Sequence, residues 1–368
     1  MASKVFFTDF RSFNHEPQTA KLIRLIKAAG IDKIDFQDKY VAVKIHFGEP
    51  GNMAFLRPQY AKAVCDYIKS LGGRPFVTDC NTLYVGERKD GLRHLTSAFE
   101  NGYNPFCTGV HTIIADGIKG LDEALVPVRN GEYVKEAKIG SAIMDADIVI
   151  SISHFKGHEC AGFGGALKNL GMGSGSRAGK MEMHSASKPR VITEMCVGCG
   201  RCAKECAHGG PVIENGKCHI DNDKCVGCGR CIGACLKDAI VAAHDEKFEV
   251  LNYKIAEYAM AVCDGRPNFH ISIARDISPL CDCHGDNDIP IVDDIGMFAS
   301  FDPVAIDVAC ADAVNALPPK QGSVLEENGC SHHDHFTDVA PETNWRAAVI
   351  HGEKIGLGVQ DYELVRIK

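Results

Sequence analysis

Two runs of cysteine share one spacing: Cys196, Cys199, Cys202 and then Cys206, and Cys225, Cys228, Cys231 and then Cys235. A doubled C-x2-C-x2-C-x3-C pattern lets three thiolates of a compact loop converge on one iron-sulfur cube while the fourth cysteine reaches the other cube. On that logic Cys196, Cys199, Cys202 and Cys235 serve one [4Fe-4S] cluster, and Cys225, Cys228, Cys231 and Cys206 serve the second. Gly198, Gly200, Gly227 and Gly229 sit inside the loops, where they leave backbone N–H groups free to hydrogen-bond cluster sulfides. Two structural zinc sites are the alternative; zinc knuckles usually pair separated C-x2-4-C units, so the consecutive triplets favour cubes. Cys218 lies between the runs with no ligand role and reads as a packed thiol.

A second chemical centre is basic and glycine-rich. Ser153-His154-Phe155-Lys156-Gly157-His158 follows an apolar run, Ile148–Ile152, and continues through Gly164, Gly165 and Lys168 to Arg177 and Lys180. Residues 154–190 hold six Lys or Arg against two Glu, opposite in sign to the chain's net charge of -8. Ligands of open α/β sheets bind beyond the carboxyl ends of the strands, which places His154, Lys156 and His158 at such an end. Lys168, Arg177 and Lys180, with the backbone at Gly164 and Gly165, could hold a phosphate or carboxylate of a small anionic substrate or organic cofactor. The run matches neither G-x-G-x-x-G nor G-x-x-x-x-G-K-S/T, so it specifies no particular nucleotide. Lys44 and His46 alternate at another strand end and fall on one face. Either set could supply an acid or base, and a loop of solvated cations is the alternative.

A third cluster, Cys281-Asp282-Cys283-His284, lies in an acidic stretch: Asp276–Asp302 has seven Asp and no Lys or Arg. Cys281 and Cys283 are candidate ligands of a third iron-sulfur cluster or another metal, with Cys160, Cys310 or Cys330 as further donors. Cys330-Ser331-His332-His333-Asp334-His335 offers a similar mixture later in the chain. The anion is expected at the basic centre rather than against this acidic segment.

The elements that must position these groups read as alternating strands and helices. Val5–Phe10, Tyr40–Ile45 and Pro75–Thr78 are strand candidates; Pro17–Ala29 and Pro58–Leu71 are amphipathic helices, each ending at glycine. This alternation predicts an α/β fold with a largely parallel sheet. Hydrophobic periodicity stops at Val191, where 53 residues carry nine cysteines, and resumes after Ala243. Phe269–Ala274 follows, and Asp302 caps a helix with Pro303 in its first position. The organisation expected is therefore residues 1–190 and 244–368 as two parts of one α/β domain, with an inserted two-cluster, ferredoxin-like α+β module at 191–243.

Composition bounds the function. With 368 residues, 45% hydrophobic, the chain can bury a real core. Its acidic balance argues against nucleic-acid binding. No run approaches 18 apolar residues, so no membrane span is expected. Eighteen cysteines without a secretory leader point to a reducing cytoplasm and to metal ligation rather than disulfides. Clusters close together form a one-electron wire, which implies a redox partner protein. The leading reading is a reductase or oxidoreductase component passing electrons to a site in the α/β domain. The alternatives are a non-catalytic electron carrier with a docking domain, and a structural iron-sulfur protein that binds an anionic ligand.

Two resemblances extend this reading. Glu194–Ile240 resembles the bacterial two-cluster ferredoxin, departing from it where Ala207 and Leu236 replace the proline usual after the distant cysteine. The whole chain resembles family 362 of the domains of unknown function, through Val43-Lys44-Ile45-His46-Phe47-Gly48, the Ser153–His158 and Gly162–Lys180 stretches, Asp294-Ile295-Gly296 and Asp302–Asp307. That resemblance implies iron-sulfur binding and no defined reaction. His158, Gly162, Phe163, Gly165 and Lys168 also resemble the loop of nickel-dependent lactate racemases, which implies a cofactor near Lys168 and a metal or substrate near His158.

Overall fold

The computed structural model describes residues 2–12, 15–186 and 188–367. Eight strands form the central sheet: β1 (Ser3–Asp9), β2 (Tyr40–Ile45), β3 (Arg74–Asp79), β4 (Thr112–Ile114), β5 (Ile148–His154), β6 (Asn268–Ala274), β7 (Gly296–Ser300) and β8 (Tyr362–Arg366). Their order is β8-β1-β7-β6-β5-β2-β3-β4. The fold is α/β and the sheet mainly parallel: β8-β1, β6-β5, β5-β2, β2-β3 and β3-β4 pair in parallel. Strand β7 runs antiparallel to both β1 and β6.

Helices cover both faces, which is why the inner strands are apolar on both sides. On one face α1 (Gln18–Ala29) and α2 (Pro58–Ser70) pack Leu22, Ile26, Val64 and Ile68 onto Ile148, Ile150 and Ile152. On the other, α3 (Ala166–Ser174), α4 (Phe248–Cys263) and α5 (Pro303–Asn315) cover Val149, Ala42 and Phe298. Strand β5 is buried along its whole length, so truncating Ile150 to alanine would cost roughly 2–5 kcal/mol. Asp302 caps α5 by accepting from the N–H groups of Val304 and Ala305, both at 2.9 Å, with Pro303 in the first turn.

The direction of β7 decides where the acidic segment lies. Strand β6 ends at Ala274 on the carboxyl edge of the parallel strands, and β7 returns antiparallel beside it, so residues 275–295 stay at that edge without a crossover. The cysteine-rich segment is built from smaller antiparallel pairs, Arg190–Val191 with Ile240–Val241 and Pro211–Glu214 with Lys217–Ile220, and two short helices, Arg201–Glu205 and Arg230–Ala234. Strands β1 to β5 precede that segment in the chain and β6 to β8 follow it. Among the described residues, no helix is long and apolar enough to cross a membrane.

Candidate functional site

A cavity of about 730 Å³ opens at the carboxyl edge of the sheet. Strand ends place Lys44, His46 and Asp79 on its wall, α3 contributes Lys168 and Asn169, and the 275–295 loop brings in Cys281 and Cys283. Ile192, Val241, Ala242 and His244, at the base of the cysteine-rich segment, line it as well.

Three of the cavity's cations are matched by buried carboxylates. Lys44 Nζ lies 2.9 Å from Asp79 and donates to Asn169 Oδ1 at 2.8 Å. Burial pushes Asp79 up, but the charges of Lys44 and Arg88 hold it below the usual carboxylate range. Arg88 donates to Glu49 at 2.8 Å and to the Tyr84 hydroxyl at 2.6 Å. Lys156 lies 2.9 Å from Asp282, which also faces His154 Nδ1 at 2.9 Å. His154 Nε2 meets the Arg275 carbonyl at 2.7 Å, so both nitrogens of that ring face acceptors and neither offers a lone pair to a substrate proton.

His46 and His158 are arranged differently. His46 Nδ1 accepts the Gly48 N–H at 3.0 Å, and His158 Nδ1 accepts those of Cys160 and Ala161 at 3.0 and 3.1 Å. A nitrogen that accepts cannot carry the proton, so each neutral ring presents Nε2–H. Burial holds both in the neutral form: His46 well below its ordinary value and His158 at about 4, where the charge of Lys168 adds to burial. His158 Nε2 is 4.0 Å from Cys283 Sγ, and Lys168 Nζ is 3.4 Å from Cys281 Sγ. A hydrogen bond from Cys281 draws the Cys283 thiol down to about 7 against its burial, helped by the charge of Lys168. Cys281 itself is pushed up to about 12 by that same hydrogen bond and by burial.

Four candidate metal-ligating groups exist among the described residues. His158, Cys281 and Cys283 bring their ligand atoms within 4.8 Å of one another, as do Glu159, Cys283 and His284, and, on His158's other side, Glu159 and Cys160. Cys330, His335 and Asp338 form a separate group. In the cysteine-rich segment Cys196, Cys199, Cys202 and Cys235 line one small cavity with Ile213 and Ala239. The Cys196 sulfur accepts the N–H groups of Gly198 and Cys218 at 3.5 and 3.3 Å, and the Cys235 sulfur that of Ala239 at 3.3 Å. Cys218 is buried with its sulfur 3.6 Å from Cys202.

The family model described as Domain of unknown function (DUF362) matches residues 41–312. The chain belongs to this family. Its matched span contains the strand ends, the basic centre, the cysteine-rich segment and the Cys281–Cys283 loop. A thylakoid-associated protein of Synechocystis sp. is 28% identical over 127 residues, a match that spans 33% of this chain and 34% of that relative. Among solved structures, the lactate racemase apoprotein of Thermoanaerobacterium thermosaccharolyticum is 10% identical with a TM-score of 0.38, over 74% of this chain and 51% of that one. A protein of Thermotoga maritima is 12% identical with a TM-score of 0.35, over 69% and 49%. Likenesses this distant carry no functional argument.

Within this DUF362 chain the basic and acidic segments do not form separate sites. Asp282 and Cys281 sit against His154, Lys156 and Lys168, and Cys283 lies near His158. Gly164, Gly165, Lys168 and Lys180 line the cavity, and Lys180 Nζ donates to the Gly175 carbonyl at 2.6 Å. Arg177 faces away from it: its side chain is buried beneath the Cys225–Cys231 loop, so close that a Cβ on Gly233 would overlap the guanidinium. Cys160 joins the His158 side of the cavity, whereas Cys310 is buried in α5 and Cys330 groups with His335 and Asp338. Arg88, Glu159 and the pairing role of Asp282 were missed, because they lie in loops whose sequence has no period to read.

Proposed function

We propose that the chain is an iron-sulfur protein whose α/β part binds an anionic, oxygen-bearing ligand in the cavity, beside the Cys281–Cys283 thiols. The observation that carries this reading is the convergence of three donors on one cavity: Nε2–H of His46, Nε2–H of His158 and the ammonium of Lys168. Neutral imidazoles held as donors, with a lysine, suit a carboxylate, phosphate or polarised carbonyl oxygen. The Cys281–Cys283 pair suits a thiophilic ion held with Glu159 or His284. His158 is a poor ligand for it through Nε2, since backbone donors already fix the proton there.

For the module at 191–243, inserted between residues 1–190 and 244–368, two [4Fe-4S] clusters are the proposed cargo. The cavity shared by Cys196, Cys199, Cys202 and Cys235 supports the exchanged assignment, in which Cys225, Cys228, Cys231 and Cys206 hold the second cube. Sulfur-directed N–H groups from Gly198, Cys218 and Ala239 suit a thiolate that shares its charge with a metal cluster. Among the described residues, none of these eight sulfurs belongs to a group of three ligand atoms lying within 4.8 Å of one another.

Electron delivery into the cavity is the second reading. It is favoured by Leu83, which lines the cavity and packs in one cluster with Cys202 and Cys231. A redox partner protein would then dock on the module.

Native mass spectrometry of the anaerobically purified chain tests ligand binding. A retained non-iron mass that disappears in Lys168→Met, with iron content unchanged, is the expected result. The same bound masses in both proteins, or none in either, would count against a cavity ligand.

A further inference from the structure

The group formed by Cys330, His335 and Asp338 lies apart from the cavity, and the chemistry proposed there does not use it. His335 and Asp338 stand three residues apart on the short helix His335–Val339, so their side chains share a face. Cys330 approaches from the preceding loop, and the three ligand atoms lie within 4.8 Å of one another.

Two of the three groups are buried with an atom left unpartnered. His335 is 6% exposed and Asp338 is 4% exposed. His335 Nε2 is 2.7 Å from the Leu317 carbonyl, which can only accept, so Nε2 carries the proton and Nδ1 keeps its lone pair. That Nδ1 has no hydrogen-bond partner. Asp338 divides its oxygens in the same way. Oδ1 takes the N–H groups of Ser331 and His332 at 3.1 and 3.0 Å and faces His332 Nδ1 at 2.6 Å, while Oδ2 has no partner. A buried acceptor without a donor bears the full cost of its lost hydration, and neither of these two can relieve the other. A cation between them removes that cost.

We infer that Cys330 Sγ, His335 Nδ1 and Asp338 Oδ2 bind a divalent zinc-like ion. One thiolate, one imidazole and one carboxylate form a borderline-soft donor set, and together they carry two negative charges for the ion to neutralise. A ligating histidine commonly donates its other N–H to a backbone carbonyl, which is the role of Leu317 here. Bonds of ~2.0–2.3 Å separate tetrahedral ligands by about 3.3–3.8 Å, so closing from within 4.8 Å needs shifts of an ångström or less. Three protein ligands leave a fourth position for water. The ion would close the 330–338 segment on itself; Phe336 of that segment packs edge-on to Phe155 and Phe163, at 5.8 and 5.3 Å, and Phe163 lies in the hairpin that carries Lys156 and His158.

The test is cobalt and zinc binding by the full chain, purified anaerobically with its clusters in place and freed of loose metal by a weak chelator. Wild type should take up one more tight equivalent than Cys330→Ser, and the difference spectrum with Co²⁺ should contain a thiolate-to-cobalt band that Cys330→Ser lacks. Iron and sulfide should be equal in the two proteins. Cys107→Ser, which removes an exposed thiol outside every candidate group, should behave as wild type. Because Asp338 also holds its loop through Oδ1, the exposed Cys330 is the deciding position. Equal metal uptake and identical difference spectra in wild type and Cys330→Ser overturn the assignment, whatever ligand the main cavity holds.

Discussion

Asp282 places one carboxylate oxygen 2.9 Å from Lys156 Nζ and 2.9 Å from His154 Nδ1, with all three side chains buried. The pair joins the acidic loop after β6 to the basic hairpin after β5. Burial pushes Asp282 up, but the charges of His154 and Lys156 hold it well below the ordinary carboxylate range. Removing one partner of such a pair leaves a buried charge uncompensated. Asp282→Asn should therefore lower unfolding free energy by roughly 3–5 kcal/mol in a denaturant titration. A loss under about 1 kcal/mol, the size typical of an exposed pair, would show that water reaches Lys156.

Glu257 gives a pH-dependent counterpart far from the cysteines. Its carboxylate accepts the N–H groups of Glu132, Tyr133 and Val134 and faces His351 Nε2 at 2.8 Å. Burial raises its pKa, but those hydrogen bonds hold it below the ordinary value of 4.5. A lowered folded-state pKa means stability that is present above the unfolded pKa and lost as pH falls through the folded one. Glu257→Gln should be less stable than wild type by about 1–3 kcal/mol at pH 7, with the gap narrowing below pH 4.5. A gap that stays constant or widens on acidification would contradict this.

Gly171 marks a close approach of two helices. A Cβ there would stand 2.1 Å from the Ile255 carbonyl oxygen on α4. Alanine is intrinsically better than glycine in a helix by about 1 kcal/mol, so any net loss reports the clash. Gly171→Ala should destabilise by roughly 1–3 kcal/mol in thermal or chemical unfolding. A stabilised variant would mean that α3 and α4 can separate without penalty.

Much of this architecture was legible in the sequence, and what was not depends on groups remote in the chain or on local backbone geometry. Tyr40–Ile45 was readable as a strand from its run of apolar and β-branched residues, and α5 from Asp302 followed by Pro303. The antiparallel direction of β7 was not, because a strand's polarity depends on its neighbours and on the length of the connecting loop rather than on its own residues. From that one reversal it follows that Asp282 and the Cys281–Cys283 pair enter the same cavity as Lys156 and Lys168. Charge by segment hides such a pairing: Lys156 of the basic run meets Asp282, 126 positions away. The tautomers of His46 and His158 were equally unreadable, since they depend on local backbone N–H groups.

The proposed cluster assignment separates Cys206 from Cys235. Cys235→Ser should damage the cube held by Cys196, Cys199 and Cys202, and Cys206→Ser the cube held by Cys225, Cys228 and Cys231, each read by iron analysis and electron paramagnetic resonance. Wild type should carry about eight irons and eight sulfides per chain, and about twelve of each would require a third cluster at Cys281 and Cys283. Loss of the Cys196 cube in Cys206→Ser would reverse the assignment.

The central claim is that two iron-sulfur cubes stand beside a ligand-binding cavity. A crystal structure of the anaerobically purified chain, with diffraction recorded on both sides of the iron absorption edge, tests it most directly. The account predicts two iron peaks, one among Cys196, Cys199, Cys202 and Cys235 and the other among Cys225, Cys228, Cys231 and Cys206, with non-protein density touching Lys168 and the Nε2 atoms of His46 and His158. Iron-free cysteines holding single zinc ions, with the cavity containing only disordered water, would contradict it.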